Sequence, residues 1–132
     1  MYPHEISQVR SRVQEAFKQL RKKEEIYARM NFLCCSNCAT SELYRMITEE
    51  KTEYKGVAFF HQQNNDRFKE GEDFHIGFGH KNENQENRQK DLEVGRMIQK
   101  ILEENSVVTE WEDSPLKRIE VKVEDTLKEI QS

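Results

Sequence analysis

The chain has 132 residues, 35% of them hydrophobic and 35% charged, with a formal net charge of −4. That length suits one domain able to bury a core without disulfide staples, and the acidic balance argues against a nucleic-acid backbone as partner, because such binding draws on clustered Lys and Arg. No run approaches the ~20 apolar residues of a membrane-spanning helix, and the N-terminus lacks the apolar centre of a signal peptide, so no membrane role is expected and the chain reads as cytoplasmic.

Ile6, Val9, Val13, Ala16, Phe17 and Leu20 recur at three- and four-residue spacing, which predicts an amphipathic helix over 6–23. Ile26, Ala28, Met30, Phe32 and Cys34 then alternate, predicting a strand that ends at the first thiols. Residues 39–50 read as a helix burying Leu43, Tyr44, Met46 and Ile47, with Ser36 or Asn37 as its cap. The aromatic-rich runs 56–61 and 74–78 predict two strands, and the polar connection 62–73 between them suits an irregular hairpin loop. After a polar stretch of little pattern over 82–90, Leu92, Ile98, Ile101 and Leu102 mark a helix that Asn105 stops. Residues 107–111 and 119–123 flank Asp113-Ser114-Pro115, a hairpin signature, and a short helical tail is expected over 125–130. The fold class is therefore α+β, a single mixed sheet of about five strands with three main helices in the order α-β-α-β-β-α-β-β. No repeat or Pro- or Gly-rich linker divides residues 1–132, so a single domain is expected, with 1–5 and 125–132 loosely ordered. Its excess acid lies late: residues 103–132 hold nine acidic and four basic side chains.

Three cysteines, Cys34, Cys35 and Cys38, fall within five residues and are the only ones in the chain. An odd count suits a reducing compartment, where thiols stay free. Cys34 follows Phe32 on the core side of the predicted strand and reads as a packed small hydrophobe. Cys35 and Cys38 stand where a helix is expected to begin, the position in which a helix N-terminus stabilises a thiolate, so they are the candidate catalytic dithiol. A thioredoxin-like fold would add a cis-proline facing the pair, but Pro3 and Pro115 lie in the N-terminal tail and the late hairpin. A zinc site would need four ligands, and Cys35 and Cys38 with His61 and His75 is the easiest set to build. His61, Gln62 and Gln63 place an imidazole and two amides beside Phe59 and Phe60, a candidate ligand-binding group or a hydrogen-bonded strand end. His75 alternates away from Phe74, Ile76 and Phe78, towards the less apolar face. Gly77-Phe78-Gly79 lacks the following helix of a phosphate loop and reads as a strand bend or close backbone approach. Trp111 reads as a core indole between solvated carboxylates.

The run Asn31-Phe32-Leu33-Cys34-Cys35-Ser36-Asn37-Cys38, followed by Gly56-Val57-Ala58-Phe59-Phe60-His61-Gln62-Gln63, resembles a family of small, uncharacterised bacterial proteins, a domain of unknown function. Gly77-Phe78-Gly79, Val94-Gly95, the stretch from Trp111 to Pro115 and Arg118-Ile119 extend the resemblance over most of the chain. It implies a bacterial cytoplasmic protein and a single site joining the cysteine and His61 regions, and it supplies no activity, cofactor or partner. The family pattern carries an acidic residue directly after the His-x-Gln element, where this chain has Asn64.

These features lead to the expectation of a small intracellular binding or interaction module with a structural or ligand-facing Cys/His cluster. A thiol-redox protein using Cys35 and Cys38, or a zinc-stabilised domain, is the alternative. No cofactor is required, zinc is the one candidate, and the partner would be a protein or small molecule; the sequence sets no oligomeric state.

Overall fold

A computed structural model of the chain describes residues 2–23, 26–29, 56–60, 62–80, 88–115 and 117–131. Among them are α1 (Pro3–Lys23), β1 (Ile26–Arg29), β2 (Gly56–Phe59), α2 (Gln62–Lys69), β3 (Phe74–His80), α3 (Arg88–Glu104), β4 (Thr109–Glu110), β5 (Ile119–Val121) and α4 (Val123–Gln131). The helix expected over 39–50, and the part of the first strand beyond Arg29, lie outside the described residues.

The five strands form one mixed sheet in the order β1-β2-β3-β5-β4. β1 and β2 are parallel, whereas β2 with β3, β3 with β5 and β5 with β4 are antiparallel. Side chains at paired positions share a face and alternate along each strand. The register therefore puts Ile26, Ala28, Ala58, Phe60, Phe74, Ile76, Ile119 and Val121 on one face, and all eight belong to a single buried cluster. Every described helix feeds that cluster: Val9, Val13, Ala16, Phe17 and Leu20 from α1, Phe68 from α2, Val94, Ile98, Ile101 and Leu102 from α3, Val123 and Leu127 from α4. The opposite face carries Tyr27, Val57 and Phe59 towards β1 and β2, and His75 and Glu120 towards β5; the first three are buried yet stand outside the cluster.

The helix periodicity read from the sequence holds for α1 and for Ile98, Ile101 and Leu102 of α3, whereas Leu92 is only half-buried and stands outside the core cluster, and Val94 and Gly95 take the buried positions of the preceding turn. α1 starts earlier than expected, at Pro3, whose missing N–H is no loss in a first turn. The Tyr2 carbonyl accepts the N–H groups of Glu5 and Ile6, and the Glu5 carboxylate accepts the Tyr2 N–H at 2.9 Å. α3 ends in a Schellman turn: the Val107 N–H reaches the Leu102 carbonyl and the Ser106 N–H the Glu103 carbonyl, with Ser106 at φ 66°. Asn105 stops the helix from inside, its amide donating to the Ile101 carbonyl and to Gln19 of α1.

The loop expected over 62–73 is corrected in its first half, because residues 62–69 are the helix α2. Only Phe68 in this stretch is apolar, so no apolar period marks it. Tertiary bonds hold it instead: Asn64 Oδ1 accepts the His75 N–H at 3.0 Å, Asn65 Oδ1 accepts from the Arg10 guanidinium at 3.0 Å, and Phe68 stacks on Phe74 at 4.4 Å between centroids. Arg10 lies over the Phe68 ring at 4.3 Å, and burial pushes its pKa down from the ordinary arginine value. The helix leaves through Gly71, at φ 78°, in a second Schellman turn in which the Glu72 N–H reaches the Arg67 carbonyl.

The late hairpin is present but trimmed, with β4 reduced to Thr109–Glu110 and β5 ending at Val121. Val123, which alternation assigns to the strand, is the first residue of α4. The buried Thr126 hydroxyl fastens that helix to the sheet, donating to the Lys122 carbonyl and accepting the Val108 N–H.

Candidate functional site

β1 and β2 run side by side in the same direction, with Arg29 opposite Phe59. Both strands therefore leave the sheet at the same end. Chain order continues from β1 towards Cys34, Cys35 and Cys38, and from Phe60 into His61; these four residues lie outside the described ones. Gln62 and Gln63 open α2 beside this end, and both side chains are exposed. The buried amides are the next two residues, Asn64 and Asn65.

β3 returns past the same end. Phe59 pairs with Gly77, so His75 lies two residues beyond the last paired position of β2, towards the end from which β1 and β2 depart. Its backbone is held by Asn64 and its imidazole projects to the face away from the helices, as its alternation predicts. There Nε2 stands 3.5 Å from Glu120 Oε2, across the β3–β5 pair.

Glu120 opens a charged group. The Lys122 ammonium reaches Glu120 at 3.0 Å, Glu110 at 3.2 Å and Asp73 at 3.3 Å. These carboxylates, Glu120 first, then Glu110 and Asp73, hold the lysine pKa well above its ordinary value. The cation thus stays matched to three acids on three neighbouring segments. Asp73 does a second task, since its other oxygen accepts the Val123 N–H at 3.0 Å. Sequence reasoning singled out none of these four residues. The alternation Ile119-Glu120-Val121-Lys122-Val123 did carry a signal, because it puts Glu120 and Lys122 on one polar face. Among the described residues, no group of three or more His, Cys, Asp or Glu side chains is arranged to hold a metal ion. Of the zinc set expected from sequence, His75 alone is described, and its imidazole faces Glu120.

At the other end of the sheet, Trp111 packs edge-on against Phe78 at 5.5 Å and lies over Gly95 of α3. Its indole N–H donates to the carbonyls of Ser114 and Lys117, which closes the β4–β5 loop around the ring. The indole is only partly buried, against the edge of the core. Arg96 grips Asp113 through two bonds of 3.0 and 2.7 Å, holding that carboxyl below its ordinary pKa. Space is tight at two glycines of these strands: the Phe59 ring, not backbone, covers Gly77, and a Cβ on Gly56 would stand 2.6 Å from the Gly79 carbonyl oxygen.

A family model described as Domain of unknown function (DUF6891) matches residues 7–125. The chain belongs to this family. The DUF6891 match takes in all five strands, from Ile26 of β1 to Val121 of β5, together with the cysteine segment and His61. No curated protein and no solved structure matches the chain. In this DUF6891 chain, Asn64 is a buried amide that accepts a main-chain N–H from β3. No described helix is long and apolar enough to cross a membrane.

Proposed function

We propose that this DUF6891 chain is a small binding or interaction module of the bacterial cytoplasm, with its ligand-facing end where β1 and β2 leave the sheet. Cys35, Cys38 and His61, with Gln62 and Gln63 beside them, would form the structural or ligand-facing cluster there, and Cys34 would pack inward. The observation that supports this reading is the parallel register of Arg29 with Phe59. Two adjacent parallel strands run out together, and ligands of open α/β sheets gather outside such carboxyl ends. The thiols follow Arg29 by five to nine residues and His61 follows Phe59 by two, so both chain segments set out from one place. A protein or small-molecule partner suits the acidic charge better than nucleic acid does.

Metal analysis combined with free-thiol counting on the native protein, purified under reducing conditions, tests the reading. The binding module is expected to carry no stoichiometric metal and three free thiols that form no reversible disulfide. Stoichiometric zinc released by chelator would replace it with a zinc-stabilised domain using Cys35, Cys38, His61 and His75. A reversible Cys35–Cys38 disulfide with a depressed thiol pKa would replace it with a dithiol redox protein.

A further inference from the structure

No further inference is drawn: the strongest candidate, the cluster of His75, Glu120, Glu110, Asp73 and Lys122 on the sheet face away from the helices, is a set of carboxylates already matched by Lys122, and nothing among the described residues points to a ligand there.

Discussion

Asp73 caps a helix that begins fifty residues later: its Oδ1 accepts the Val123 N–H at 3.0 Å while Oδ2 faces Lys122. The Val123 N–H at the start of α4 thus takes its acceptor from the residue that precedes β3, because Lys122 at the N-cap position has no side-chain acceptor to offer. Asp73→Ala is expected to cost about 1 kcal/mol, the worth of a typical capping oxygen. Asp73→Asn keeps an acceptor and should lose less. Amide hydrogen exchange over 123–127 checks the assignment, with protection falling in the Ala variant ahead of that in α1.

Gly95 lies against two aromatic rings, and a Cβ there would stand 2.8 Å from both Phe78 and Trp111. Alanine favours a helix over glycine by roughly 1 kcal/mol, but overpacking costs about 1–3 kcal/mol. Gly95→Ala should therefore lose about 1 kcal/mol net and shift the emission of Trp111, the only tryptophan. Gly56→Ala should be worse, because its nearest obstacle is a backbone carbonyl that cannot rotate aside. Urea unfolding followed by tryptophan fluorescence measures both.

The Arg96–Asp113 pair sets a pH dependence of definite sign. A carboxylate with a lowered folded pKa contributes stability above its unfolded value, near 3.9, and that contribution fades as pH falls through the lower folded value. NMR titration should place the Asp113 midpoint below that of a free aspartate. Arg96→Ala should bring it back towards the free value, and a midpoint unmoved by the substitution would refute the pairing.

Lys122 works in the opposite direction. Its raised pKa means that its contribution is complete below the unfolded lysine value, near 10.4, and is lost as pH rises through the folded one. Lys122→Met should destabilise the protein at neutral pH, leaving Glu120, Glu110 and Asp73 facing one another. The difference from wild type should shrink in strongly alkaline solution. Chemical denaturation at both pH values reads the effect.

Asn64 offers a test of how α2 is held. Asn64→Leu removes the acceptor of the His75 N–H and should cost about 1–3 kcal/mol. Asn64→Asp keeps an oxygen on that N–H, so it should be the milder change at neutral pH. If the two variants proved equally destabilised, the bond to His75 would not be what holds the helix.

Local pattern determined much of this fold. The three- and four-residue spacing in α1 and α3, the alternation of Phe74, Ile76 and Phe78, and the turn residues of the late hairpin each concern neighbours in sequence, so periodicity and turn chemistry expose them. The same alternation sets His75 apart from the core face. α2 escaped because Gln62–Lys69 is polar almost throughout, and its order comes from Arg10, Phe74 and His75, which the chain brings up from elsewhere.

The sequence by itself determined the fold class, one mixed sheet with amphipathic helices, and concentrated the reactive groups at the cysteines and His61. Only the tertiary structure decided that β5 lies between β3 and β4, that β1 and β2 are parallel and leave the sheet at one end, and that Lys122 is shared by three acids. Strand order and charge pairing depend on which distant segments meet. Alternation says which face a side chain takes, and it carries no information about the strand beside it.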